Sequence, residues 1–183
     1  MKTDITSALV NEHKLILRMV ALLERNARRT AAGSYSNWQF YLDGVDFIRN
    51  YADRFHHAKE EDVLFEALAN NGMRMESSPI TAMMMEHDQG RGHVLAMETA
   101  VQEIAAGRAV NLGMLTANAL AYAELMREHI LKEDEVLYPL AERVMSDSLR
   151  EGVVDGYSAA EARTPADFAT RYEALVLHYE NEA

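Results

Sequence analysis

The residues best suited to chemistry form a motif that occurs twice. Residues 56–65 read His-His-Ala-Lys-Glu-Glu-Asp-Val-Leu-Phe, and residues 129–138, at an offset of 73, read His-Ile-Leu-Lys-Glu-Asp-Glu-Val-Leu-Tyr. In each copy a His and a Glu stand four positions apart, so on a helix they share one face and can bind the same metal ion. Two copies predict two bound ions, or one ion held between two half-sites.

A lone histidine precedes each copy of the motif. His13 and His87 each follow a glutamate, and their separation of 74 residues is within one residue of the motif offset. His13 stands at helical spacing from Leu9 and Ile16, and His87 has a comparable apolar setting, so both imidazoles are expected to face a core. The ligands that this pattern predicts are His13, His56, Glu60, His87, His129 and Glu133.

Carboxylates on core-facing positions require a cation, because burying them without a partner costs several kcal/mol each. The chain contains no cysteine, which excludes thiolate zinc sites, iron–sulfur clusters and disulfides. Nitrogen and oxygen ligands without sulfur suit iron, manganese or zinc. A glutamate that bridges two ions would let Glu60 and Glu133 serve both of them.

The first copy of the motif allows a second register. His57 and Glu61 also stand four apart, but Asp53 and Asp62 make their helix face more polar. The alignment of the two copies favours His56 and Glu60, since they stand at the same distance from Val-Leu-aromatic as their counterparts do. Lys59 and Lys132 are expected on the solvated side. The residues left as alternative ligands, or as groups that support the ligands, are His57, Glu61, Asp134 and His93.

The composition predicts an all-α fold. Among 183 residues there are only three prolines and nine glycines, and good helix formers dominate. Stop and cap signals divide residues 1–146 into four long helices, which predicts an up-down-up-down four-helix bundle. The predicted helices begin near Asp4, near Ser36 or Asn37, at Ser78-Pro79 and near Asn111, and end near Gly33, Gly72, Gly107 and Ser146.

The remaining segment, 147–183, is expected to pack on the bundle as a loop followed by one extra C-terminal helix. Gly152, Gly156 and Ser158 favour the loop, and Thr164-Pro165-Ala166-Asp167 is typical of a helix start. Pro139 falls just after the second motif, so a kink or local break is predicted there.

The net charge and the N-terminal residues indicate which binding partners and which cellular compartment suit the protein. The net charge of −11 argues against nucleic acid or an anionic membrane surface as a partner. No stretch approaches the roughly 18 apolar residues that a membrane span needs, and the N-terminus lacks the apolar core of a signal peptide. We therefore expect a soluble cytoplasmic protein.

These motifs resemble those of the hemerythrin-like family, also called the HHE cation-binding domain, over roughly residues 5–145. The resemblance rests on Glu12-His13, on the two motif copies and on Glu86-His87-Asp88. It implies a four-helix bundle around a non-haem di-iron centre with an oxo or hydroxo bridge, with zinc or manganese as alternative ions. The ligands that it implies are again His13, His56, Glu60, His87, His129 and Glu133.

One departure from the oxygen carriers of that family affects the expected function. The carriers have a second histidine one turn after the third-helix histidine, where this chain has Arg91, and their last carboxylate corresponds to Asp134. Four histidines and two glutamates leave an open or water-filled coordination position. The departure argues against simple reversible oxygen transport and favours reaction with other small ligands.

Three functions follow as hypotheses. The first is a di-iron protein that binds or senses a small molecule such as dioxygen or nitric oxide. The second is a di-iron enzyme that acts on peroxide or nitric oxide, or delivers iron for iron–sulfur repair, for which a redox partner protein is a further candidate partner. The third is a metal reservoir or structural bundle. The sequence identifies no catalytic acid, base or nucleophile beyond the ligands.

Overall fold

The computed structural model describes residues 2–74, 78–108 and 111–182. These residues form six helices and contain no strand, so the all-α prediction is confirmed. The helices are α1 (Ser7–Ala31), α2 (residues 38–70), α3 (Pro79–Ala105), α4 (residues 112–144), α5 (Asp147–Glu161) and α6 (Phe168–Glu180). Within the described ranges, none of them has the length and apolarity required to cross a bilayer.

Three of the first four helices start at predicted caps. The side chains of Asn37, Ser78 and Asn111 each accept a hydrogen bond from a backbone N–H in the first turn of the helix that follows. These bonds satisfy donors that have no partner within the helix. Gly33, with φ of 72°, follows the end of α1 in the left-handed conformation that glycine adopts without strain.

Two helices depart from α geometry at the motif. Helix α2 is π-helical over Ile48–His57 and again over Glu60–Phe65, and α4 is π-helical over Glu133–Leu137. Of the two alternatives predicted at Pro139, the local break is wrong, because helical structure continues through Tyr138–Val144, and the kink stays a prediction. The irregularity is instead the π-helical turn that immediately precedes this proline. Such turns occur often at functional sites, since they redirect side chains within an unbroken helix.

The core consists of two apolar clusters with a polar layer between them. The larger cluster includes Leu23, Phe47, Val101 and Ala123, and the smaller one includes Leu9, Leu64, Met83 and Leu137. Along α1, α2 and α3 the motif histidines and Glu60 fall between the residues of the two clusters, and along α4 Glu133 does so, with His129 next to Ile130 of the larger cluster. The polar layer therefore packs against apolar side chains on two sides.

The segment after residue 146 contains two helices, so the predicted loop at Gly152, Gly156 and Ser158 is wrong. All three residues lie within α5. A Cβ atom at Gly156 would lie 2.7 Å from Cγ1 of Val63, which shows that this glycine permits close packing of α5 on α2. Glycine serves both turns and close helix contacts, so the residue type alone does not distinguish the two.

The last two helices pack on different parts of the core. Val153 and Tyr157 of α5 belong to the smaller apolar cluster, and Phe168 and Val176 of α6 belong to the larger one. Arg150 of α5 is fully buried and donates to the carboxylate of Glu142 and to the backbone carbonyl of Thr3. The segment is therefore held by apolar packing and by a buried guanidinium.

Candidate metal centre

All six predicted ligands lie in the polar layer, and the structure brings them together. None of them exposes more than 1% of its surface. They come from all four bundle helices: His13 from α1, His56 and Glu60 from α2, His87 from α3, and His129 and Glu133 from α4.

The first cluster contains His13, His56, Glu60 and Glu133, whose ligand atoms lie within 4.8 Å of one another. The Nε2 atoms of His13 and His56 are 2.9 Å apart, and their ring planes meet at 63°. Glu133 Oε2 lies 3.3 Å from Nε2 of His13. Two imidazoles and two carboxylates thus converge on one point.

The second cluster contains His57, Glu60, His87 and His129, within the same 4.8 Å limit. The Nε2 atoms of His87 and His129 are 3.0 Å apart, again with an angle of 63° between the rings. Glu133 Oε1 lies 3.2 Å from Nε2 of His129, and Glu60 Oε2 lies 3.5 Å from Nε2 of His87. Both glutamates therefore reach both histidine pairs.

These distances fit a pair of metal ions. Ligand atoms about 2.1 Å from an ion lie roughly 3 Å apart when they are at right angles, and the two Nε2 pairs match that edge length. Glu60 Oε2 and both carboxylate oxygens of Glu133 are buried and accept no hydrogen bond from the described residues. Buried carboxylate oxygens without donors are costly unless a cation is present, so the residues fit a dinuclear metal group.

Each of the four paired histidines is oriented by a carboxylate at its other ring nitrogen. The Nδ1–H of a histidine donates to the carboxylate, which leaves the Nε2 lone pair directed at the centre. The Nδ1-to-carboxylate distances are 2.8 Å for His13 and Asp134, 2.9 Å for His56 and Glu12, 2.6 Å for His87 and Glu61, and 3.0 Å for His129 and Glu86.

The structure also shows where the four alternative ligand candidates lie. Glu61 and Asp134 lie outside both clusters and serve as the acceptors just described. His93 also lies outside them and pairs with Asn118, because six residues from His87 is about 120° around the helix. His57 lies in the second cluster and His56 in the first, so both registers of the first motif copy contribute a histidine to the polar layer.

The π-helical turn of α2 explains why two successive histidines are both buried. Consecutive residues of an α-helix point about 100° apart, and the wider π turn reduces that angle. His56 and His57 expose only 1% and 5% of their surface. His57 stacks on His87 with ring centroids 3.8 Å apart and planes 13° from parallel. The rings of His13 and His56, and those of His87 and His129, instead meet at 63°.

Electrostatic interactions in the polar layer disfavour the simultaneous ionisation of Glu60 and Glu133. Burial and the charge of Glu133 raise the pKa of Glu60 well above its usual range. Burial acts in the same direction on Glu133, but the charges of His129 and His13 outweigh it and lower the pKa of Glu133. Burial disfavours the charged form of His13, yet the hydrogen bond to Asp134 and the negative charge of Glu133 raise its pKa to about 9. A divalent cation would remove this conflict by favouring both carboxylates and neutral imidazoles.

Tyr138 is a functional candidate that the sequence motifs did not identify. Its hydroxyl donates to Glu60 Oε1 at 2.5 Å and lies 3.3 Å from Nε2 of His13. The counterpart of Tyr138 in the first motif copy is Phe65, which has no hydroxyl. That single difference between the two copies is the signal in the sequence that could reveal it.

The prediction for the two lysines is wrong for Lys59. This side chain is fully buried, contacts the carboxylate of Glu12, donates to Glu161 at 3.0 Å and lies over the ring of Phe55. Helix α5, which the sequence did not predict, supplies Glu161. Lys132 contacts Glu86 in the equivalent way but has 43% of its side chain exposed.

Comparison with known proteins agrees with the motifs. The family model of the hemerythrin HHE cation-binding domain matches residues 4–141. Three curated relatives are 26% identical to this chain over 141 residues, or 75% of its length. One is an uncharacterized protein of Mycobacterium bovis, and the other two are uncharacterized proteins of Mycobacterium tuberculosis strains CDC 1551 and H37Rv. The match covers 53% of each relative, so the chain spans about half the length of the curated relatives it matches. No solved structure shows significant similarity.

Proposed function

We propose that this chain, which belongs to the hemerythrin HHE cation-binding family, holds two iron ions and binds or senses a small molecule such as dioxygen or nitric oxide. In this proposal His13 and His56 bind one ion, and His87 and His129 bind the other. The carboxylates of Glu60 and Glu133, which lie between the two histidine pairs, would supply the remaining protein ligands. When bound, the ions would supply redox chemistry and open coordination positions for the small molecule.

The observation that carries the proposal is the set of buried carboxylate oxygens without donors, which the Nε2 atoms of four oriented histidines surround. Without a cation, the described residues could balance these two carboxylates only by protonation of Glu60 and of the histidines beside Glu133. Nitrogen and oxygen donors suit iron, zinc and manganese alike, and iron is preferred among them because it is the metal that the family resemblance implies.

The proposal includes an up-down-up-down arrangement of α1 to α4. Contacts along neighbouring helices support it, because residue numbers rise on one helix as they fall on the other. Between α1 and α4 the contacts run from Ile5 with Glu142, through His13 with Asp134, to Glu24 with Arg127. Between α2 and α3 they run from Arg49 with Glu98 to Glu61 with His87. Antiparallel neighbours let one polar layer cross all four helices.

Metal analysis tests the proposal. Protein purified without added metal should contain two iron ions per chain, and a Glu60→Ala plus Glu133→Ala variant should lose nearly all of them. His93→Ala is the matched control, since this histidine lies outside both clusters, and it should keep the full iron content. A wild-type protein without metal, or a double variant that keeps its ions, would contradict the proposal.

Ligand binding is tested on the reduced, iron-loaded protein. Addition of dioxygen or nitric oxide should change its visible absorption spectrum at one equivalent per centre. An unchanged spectrum with both gases would rule out binding or sensing of these molecules while leaving the metal assignment intact.

Reduction of peroxide is the second candidate, and the Tyr138 hydroxyl favours it. This phenol group donates to Glu60 inside the polar layer and is therefore placed to deliver a proton to the centre. Multiple turnovers of hydrogen peroxide with an added reductant, lost in Tyr138→Phe, would support an enzyme that works with a redox partner protein. A single stoichiometric reaction would support binding or sensing instead.

A further inference from the structure

A pocket of about 420 Å³ lies between α2 and α3 and reaches the second cluster. His57 and His87 form part of its lining, together with the apolar side chains of Ile48, Val94 and Leu95. A diatomic gas is about the size of a water molecule, which occupies ~30 Å³ in the liquid. The pocket is far larger and falls in the range of roughly 300–1,000 Å³ typical of sites for small organic ligands.

Two buried polar atoms at the pocket have no hydrogen-bond partner among the described residues. One is the hydroxyl of Tyr122, a side chain of which only 1% is exposed, and the other is Nδ1 of His57. Asp53 Oδ1 lies 3.4 Å from that nitrogen, but the geometry does not make a hydrogen bond. Buried polar groups are usually paired, so two unpaired polar atoms in one lining point to a bound molecule.

Carboxylates neutralise two of the three guanidinium groups in the lining, and the third is exposed to solvent. Arg91 donates to Asp53 at 2.7 Å and to Glu61 at 2.8 Å, and Arg49 donates to Glu98 at 2.6 Å. Arg54 donates to Oδ1 of Asn50 at 3.2 Å, and water screens its exposed charge. The interior of the pocket, next to His57 and His87, is therefore suited to a neutral molecule.

Gly90 of α3 lies next to the Tyr122 ring. A Cβ atom at this position would lie 3.4 Å from Cε of Met126 and 3.5 Å from the Tyr122 ring, which is ordinary van der Waals contact. The Tyr122 ring therefore packs beside α3, and both Gly90 and Tyr122 form part of the pocket wall.

We propose that this pocket binds a neutral organic molecule with an apolar body and a single hydroxyl-bearing head. The body packs against Ile48, Val94 and Leu95, and the oxygen of the head accepts the hydrogen bond of the Tyr122 hydroxyl. The head then lies beside His57 and His87. Its position next to a metal ion rests on the proposed function, whereas binding within the pocket does not.

The probe for this site is 2-phenylpropan-2-ol, with methanol as the control that has a hydroxyl and almost no apolar body. Nuclear magnetic resonance titration of the full chain, loaded with zinc to avoid redox chemistry, measures both. We expect saturable binding of the larger alcohol with shifts of the Val94 and Leu95 methyl signals, and at least tenfold weaker binding of methanol. Absence of saturable binding, or equal affinity for both alcohols, overturns the proposal.

Two variants test the position of the ligand. Leu95→Trp should fill the mouth of the pocket and abolish binding, since Leu95 is 58% exposed and can change without disturbing the core. Leu131→Trp is the matched control, because Leu131 is 60% exposed and does not line the pocket. Equal binding by both variants would contradict the proposed position.

Tyr122→Phe tests the hydrogen bond to the head. It should weaken binding of 2-phenylpropan-2-ol about fivefold, the value of one hydrogen bond. Thermal unfolding should be unchanged or shifted upward, because the hydroxyl has no partner to lose among the described residues. Unchanged affinity would show that the head does not reach Tyr122 and would overturn the assignment.

Metal analysis of the same samples separates this inference from the proposed function. If the protein binds no metal but the alcohol shifts Val94 and Leu95, the pocket assignment stands and the dinuclear centre fails. If two ions are present and the alcohol does not bind, only the pocket assignment fails.

Discussion

The two halves of the candidate metal centre have equivalent ligands but different surroundings. In the first half, the Tyr138 hydroxyl lies beside His13 and donates to Glu60. In the second half, the counterpart of Tyr138 is Phe65, and His57 stacks on His87 where the symmetric position holds Ile130. The duplicated motif thus provides matched candidate ligands, while single differences give the first half a tyrosine hydroxyl and the second half an additional histidine next to a pocket.

The C-terminal segment increases this difference. Helix α5 packs on the first half, where Glu161 and Glu12 enclose the buried ammonium group of Lys59. Lys132 in the second half has its partner Glu86 but no equivalent of Glu161 in the described residues, and 43% of its side chain stays exposed. One half is therefore shielded from water, and the half next to the pocket is the one suited to receive an external ligand.

The largest expected effect is on the glutamate that both clusters share. Glu60 belongs to both four-residue clusters, so Glu60→Ala should remove both ions, as measured by elemental analysis. His56→Ala changes the first half alone and His129→Ala the second half alone, so each should keep about one ion. If Glu60→Ala retained an ion in either half, the two clusters would be independent sites.

The two lysines offer the next comparison. Lys59→Met leaves Glu12 without its cation in a buried setting, which should lower the free energy of unfolding by roughly 2–3 kcal/mol. Lys132→Met changes a half-exposed pair and should cost less than about 0.5 kcal/mol. Urea denaturation measures both values. Equal losses would show that α5 does not protect the first half.

The packing of α5 on the first half can be tested at two glycines of the same helix. Gly156→Ala forces a methyl group against Val63 and should destabilise the protein by about 1–3 kcal/mol. A methyl group at Gly152 would meet no atom within 4 Å, so Gly152→Ala should stabilise the helix by up to about 1 kcal/mol. The sign of the change in the midpoint of urea denaturation distinguishes them, and the same sign for both would contradict the observed contact.

The last comparison concerns the hydroxyl that the first half has and the second half lacks. Tyr138→Phe removes the hydrogen bond to Glu60 and should destabilise the protein by about 1 kcal/mol without changing the number of bound ions. Equilibrium unfolding and metal analysis on the same preparation check both statements. Loss of an ion in this variant would mean that the tyrosine is itself needed to hold the metal.

Local sequence signals predicted much of the fold. Asn37, Ser78 and Asn111 mark helix starts because their short polar side chains satisfy free N–H groups, and the structure confirms them. Helix α5 is not predicted, because Gly152 and Gly156 are equally typical of a turn. The reason for Gly156 lies on another helix, at Val63, and no local pattern contains that information.

The candidate site likewise has one part that the sequence predicted and one part that it did not. The spacing of four and the repeat named six residues that the structure brings together, since helical periodicity alone fixes which side chains share a face. The burial of His57 depends on a π-helical turn, which periodicity of an ordinary helix does not anticipate.

The sequence by itself determined the helical class, the three capped helix starts, the family and the paired ligand motif, because propensity, capping and i to i+4 spacing act within one turn of the chain. Only the tertiary structure decided which half of the centre is enclosed, that Lys59 is buried and that a pocket reaches His57 and His87. Those features depend on contacts between residues far apart in the chain, such as Glu161 with Lys59 and Gly156 with Val63. Their energies exist only when the helices are packed.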